Sequence, residues 1–82
     1  MIKIETARKI VDNYTNGFKR TSIGNYLFSM TYWYGKWYIT RCKKGNEDKT
    51  YIRNGEILTD WIRICEYEPK TGNIYPCHHD KV

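Results

Sequence analysis

A chain of 82 residues carrying a formal charge of +5 has room for one small core, read here as a single domain over residues 1–82, and its charge favours anionic partners. Two Phe, three Trp and eight Tyr let that core be built from aromatics, without a metal or a disulfide framework. No run approaches the ~20 apolar residues of a membrane span, and Met1-Ile2-Lys3-Ile4-Glu5 lacks an apolar segment of signal-peptide length, so the expected location is the cytoplasm.

Ile2-Lys3-Ile4 reads as a short edge strand. Residues 5–15 then place Ala7, Ile10 or Val11, and Tyr14 at spacings of three and four between charged residues, which predicts an amphipathic helix of about three turns. Asn16-Gly17 supplies a left-handed C-terminal cap, with Phe18 folding back as its hydrophobic contact. Lys19 to Asn25 is polar and basic and reads as a loop.

The run from Tyr26 to Cys42 is dense in aromatic and β-branched residues on both sides of Gly35-Lys36, and this predicts the central hairpin. With Gly35 and Lys36 as the loop, Tyr34 faces Trp37, Tyr32 faces Ile39 and Met30 faces Arg41. Phe28, Met30, Tyr32, Trp37 and Ile39 then share the core face, with Phe28 and Trp37 as its expected anchors. Leu27, Ser29, Thr31, Trp33, Tyr38, Thr40 and Cys42 line the opposite face, which is a second packing surface or a binding surface.

Lys43 to Lys49 contains no apolar residue and reads as an exposed charged turn. Thr50 to Arg53 is a strand, Asn54-Gly55 a type I′ turn, and Glu56-Ile57-Leu58 the return. Between Leu58 and Glu66 two patterns compete. Leu58, Trp61, Ile62 and Cys65 line a helical face, yet Ile62 and Ile64 alternate with Trp61, Arg63 and Cys65 as in a strand. Pro69 and Gly72 frame a turn, and Ile74-Tyr75 resumes a strand, which favours a hairpin from about Trp61 to Cys77. The expected fold is α+β: one N-terminal helix packed on a small antiparallel β-sheet of four to five strands in a hairpin meander.

Cys42, Cys65 and Cys77 are odd in number and match no common ligand spacing, so they read as reduced thiols. A four-residue turn from Pro69 to Gly72 sets Ile64 opposite Cys77 and sends Cys65 to the other face, which separates those two sulfurs. Cys77, His78, His79 and Asp80 are all metal-ligand types. Adjacent residues of an extended chain point to opposite sides, however, so no metal is assigned. Cys42 with His78 or His79 as base is the one conceivable nucleophilic pair, and no Ser-centred, Gly-rich or HExxH motif accompanies it. The chain is read as a non-enzyme without cofactors.

Charge is unevenly placed. Residues 1–49 hold ten Lys/Arg against four acids, whereas residues 50–82 hold four against five. Basic residues interleave with aromatics around the central hairpin, the chemistry by which single-stranded nucleic acid is held: cations track phosphates and flat rings stack on bases. The expected contact residues are Lys19, Arg20, Trp33, Lys36, Tyr38, Arg41, Lys43 and Lys44, and the expected partner is a nucleic acid or a complex that handles one. The competing class is a protein-binding inhibitor of the anti-CRISPR type, encoded by a phage or mobile element. It would act in the host cytoplasm by steric blocking of a protein or ribonucleoprotein complex. That likeness is one of size and missing catalytic motifs, and it names no residue.

Overall fold

The computed structural model describes residues 2–77. Helix α1 runs Ile4–Thr15, and the strands are β1 Thr21–Ile23, β2 Tyr26–Trp33, β3 Lys36–Lys43, β4 Thr50–Arg53, β5 Glu56–Thr59, β6 Ile62–Glu68 and β7 Asn73–Pro76. Strands β1-β2-β3-β6-β7 form one antiparallel sheet in that order, and β4 and β5 pair with each other as a separate two-stranded sheet. The expected α+β architecture is therefore present, with the meander interrupted. Strand β6 brings Ile62, Ile64, Cys65 and Tyr67 to the edge of β3, more apolar surface than the wholly exposed β4 could place there. That leaves β4 and β5 to project as a ribbon.

Ala7, Ile10 and Val11 are the buried stripe of α1, and they pack on Phe28, Met30, Ile39 and Cys65 of the sheet. The helix claims Ile4, so the edge strand expected at Ile2-Lys3-Ile4 does not form. Its end is a Schellman cap: the Phe18 N–H donates to the Asn13 carbonyl and the Gly17 N–H to that of Tyr14, with Gly17 at φ 95°. Phe18 itself stays exposed and does not make the hydrophobic contact expected of it. The segment read as a loop after it contains β1, whose Thr21 is buried and accepts a hydrogen bond from the Asn13 side chain of α1 at 2.9 Å. That bond ties helix and sheet edge together.

The central hairpin turns one residue earlier than the Gly35-Lys36 reading. Tyr34 (φ 49°) and Gly35 (φ 81°) both occupy the left-handed region, and Trp33 pairs with Lys36, Tyr32 with Trp37, Met30 with Ile39 and Phe28 with Arg41. Left-handed Tyr costs about 1–2 kcal/mol. In return the two core residues Met30 and Ile39 face each other, and the Tyr32 and Trp37 rings meet edge-on at 5.4 Å. Sliding a two-residue loop by one position changes the pairing by two, so every side chain keeps its face. The predicted core face therefore stands, although Tyr32 at its hairpin end is exposed. Trp37 is half-buried against Tyr14 of α1, with ring centroids 5.9 Å apart.

Asn54 and Gly55 form the expected turn between β4 and β5, with φ of 53° and 80°. The strand reading of Leu58 to Glu66 holds over the helical one, and β6 and β7 pair with Glu68 opposite Asn73, the predicted register. Cys42, Cys65 and Cys77 are free thiols. His78, His79 and Asp80 lie outside the described residues.

Candidate functional site

The sheet face turned away from α1 takes Ser29, Thr31 and Trp33 from β2 and Tyr38, Thr40 and Cys42 from β3. It takes Arg63 from β6 only because β6 is bulged. Ile39 faces Cys65 but the next residue, Thr40, faces Arg63, so Ile64 is one residue too many for the ladder. Without that bulge, strict alternation would turn Arg63 toward α1 together with Cys65 and Tyr67. The bulge instead sends it to the far face.

There the Arg63 guanidinium lies 3.9 Å from the centre of the Trp33 ring and 5.6 Å from that of Tyr38. Arg63 is only 7% exposed, and its Nε finds no hydrogen-bond partner. Among the described residues the one ion pair is Lys36 with Glu66 at 3.3 Å, so no carboxylate neutralises Arg63. Ring stacking satisfies the face of the guanidinium and leaves its N–H edge to other acceptors.

A second Arg-Trp stack stands beside the first. Arg20, just before β1, sits 5.5 Å over Trp61, whose indole N–H is fixed by donating to the Glu47 carbonyl at 3.0 Å. The two stacks, with the Ser29 and Thr31 hydroxyls, border an open cleft of about 380 Å³. Thr40 and Thr59 complete its polar lining, and among the described residues no carboxylate borders it. Two cations and the Thr31, Thr40 and Thr59 hydroxyls facing one cavity form a donor-rich environment suited to an oxyanion.

The structure divides the predicted contact residues. Arg20 and Trp33 border the cleft, and Lys36 is the cross-strand neighbour of Trp33 but is engaged by Glu66. The Lys19 carbonyl accepts from the Ser29 hydroxyl at 2.6 Å, which places Lys19 beside the same face. Tyr38 is a correction: at 6% exposure it supports Arg63 from within and offers no ring for stacking on a base. Arg41, 4.7 Å over the Tyr26 ring, sits with exposed Lys43 and Lys44 toward the opposite end of β3 from Lys36. Lys36 and Lys43 are about 23 Å apart along the strand. Trp61 and Arg63 escaped the sequence reading. Their aromatic-basic pairing was visible, but the face of Arg63 depends on the bulge. No protein-family model, curated protein or solved structure matches this chain.

The buried thiols are held protonated. Burial pushes Cys42 up, and Asp60 and Glu47 add to the effect, so this thiol lacks the depressed pKa of an activated nucleophile. Burial, then the proximity of Cys77, pushes Cys65 from 9.0 up to about 11. A raised thiol pKa means that the folded state binds more protons than the unfolded chain above pH 9.0. The associated stability is present in full below that pH and is lost as pH rises to about 11. Urea midpoints should therefore fall across this window, and fall less for Cys65→Ala. Equal falls in the two proteins would remove Cys65 as the cause.

Proposed function

We propose that this protein binds single-stranded nucleic acid, alone or within a complex that handles it, across the sheet face opposite α1. The observation that carries the reading is the cleft bordered by two Arg-Trp stacks and by no carboxylate of the described residues. Trp33, 42% exposed, and the adjacent Tyr34 offer flat faces to bases, and Arg20 offers a cation beside them. A fluorescence anisotropy titration with short labelled DNA and RNA strands tests it. Trp33→Ala should weaken binding by ~1 to 3 kcal/mol, the usual worth of one stacked base. Unchanged affinity in that variant, or no binding at low salt, would refute the reading.

A second reading, the protein-binding inhibitor, draws on the β4–β5 ribbon. Ile52 and Ile57 are cross-strand partners there, 82% and 74% exposed, an apolar pair on a projecting hairpin. This reading expects no affinity for free strands at physiological salt and co-purification with one host complex. A pull-down beside the titration separates the two.

A further inference from the structure

We infer that the cleft between the Arg20–Trp61 and Arg63–Trp33 stacks is a binding site for a single phosphate group. The choice of phosphate over carboxylate rests on the nucleic-acid reading above; the anionic character rests on the cleft alone. Arg63 is a nearly buried cation with no acidic partner among the described residues and an Nε without an acceptor. Removing a charge from water without a counter-charge is strongly unfavourable, and an oxyanion in the cleft would supply the compensation. Trp33 and Tyr38 hold the guanidinium by its faces, so its position is set before any ligand arrives. Arg20 approaches from the other stack, and the Thr31 and Thr40 hydroxyls add donors that can rotate toward phosphate oxygens. A volume of about 380 Å³ lies within the range that small-ligand sites occupy, so the site admits a nucleotide-sized group as well as the ion.

The same chemistry recognises a terminal phosphate monoester and the bridging diester of a strand, and the experiment separates them. A nucleoside 5′-monophosphate, the matching nucleoside and inorganic phosphate are titrated into ¹⁵N-labelled protein while the indole N–H signals of Trp33 and Trp61 are followed. Oligonucleotides with a 5′-phosphate or a 5′-hydroxyl are titrated in parallel. The monophosphate, or a strand, should move both signals, and the nucleoside should move neither. Arg63→Met should weaken this binding at least about tenfold, in line with loss of a charge-assisted hydrogen bond. Arg20→Gln, at an exposed position where a substitution usually costs little stability, should weaken it roughly three- to tenfold. Preference for the 5′-phosphorylated strand assigns a terminal phosphate; equal binding of both strands assigns the diester. Nucleoside and monophosphate binding alike, or full affinity in both Arg variants, would overturn the inference. If strands bind with the parent's affinity to both Arg variants yet lose affinity in Trp33→Ala, the phosphate site falls and strand binding stands. If the monophosphate binds and no strand does, strand binding falls and the site stands.

Discussion

Ile39→Ala should destabilise the protein by about 2–5 kcal/mol, a large part of its total stability. Ile39 is 0% exposed, sits on the middle strand of the five, and packs among Met30, Cys65 and the buried stripe of α1. Truncation leaves a cavity bounded on two sides by sheet neighbours held in a hydrogen-bonded ladder, so relaxation can close little of it. At roughly 0.05–0.15 kcal/mol per residue the whole domain has only about 4–12 kcal/mol to lose. A loss of 3 kcal/mol would lower the melting temperature by about 12–24 °C, since each kcal/mol shifts a domain of this size by about 4–8 °C. Ile52→Ala removes the same atoms from the exposed β4–β5 ribbon and should stay within about 0.5 kcal/mol of the parent. Thermal melts followed by circular dichroism compare the two. An Ile39 variant melting within a few degrees of the parent would show that the core is centred elsewhere.

The proposed strand binding should weaken steeply with salt, by about 50-fold between 50 and 200 mM if four phosphates are neutralised, because condensed counterions are released in proportion to neutralised phosphates, with a slope near −0.7 per phosphate on single strands. Arg20 and Arg63 at the cleft and Lys44 just beyond β3 are the cations expected to act, since Lys36 is already engaged by Glu66, and Arg41, opposite Phe28, lies with Lys43 on the α1 side of the sheet. Replacing Arg20 by Gln and Lys44 by Ala should flatten the slope by about 1.4 and leave roughly a sevenfold fall over the same range. Lys36→Ala should change it much less. Anisotropy titrations at several salt concentrations read these slopes directly. A parent slope near zero would refute phosphate contact, and an unchanged slope in the double variant would place the contact away from Arg20 and Lys44.

Local patterns were sufficient for the helix stripe at Ala7, Ile10 and Val11, the Gly17 cap, the Asn54-Gly55 turn and the Glu68–Asn73 register, because each is set by neighbours within a few residues. The core face of the central hairpin was also legible despite the misplaced turn, since a two-residue loop that slides by one keeps side-chain parity. Three features were decided by tertiary packing. Strand β6, rather than β4, completes the sheet, because a strand is chosen by the apolar surface it buries and not by its nearness in sequence. Thr21 to Ile23 becomes β1 because β2 and α1 together offer it partners. Most of all, the bulge at Ile64 turns Arg63 away from the helix and onto Trp33. A one-residue bulge carries no sequence signal of its own, yet it reverses the face of what precedes it. The basic and aromatic residues from which the candidate site is assembled could be seen in the sequence, but which of them share a surface was settled by the register between β3 and β6.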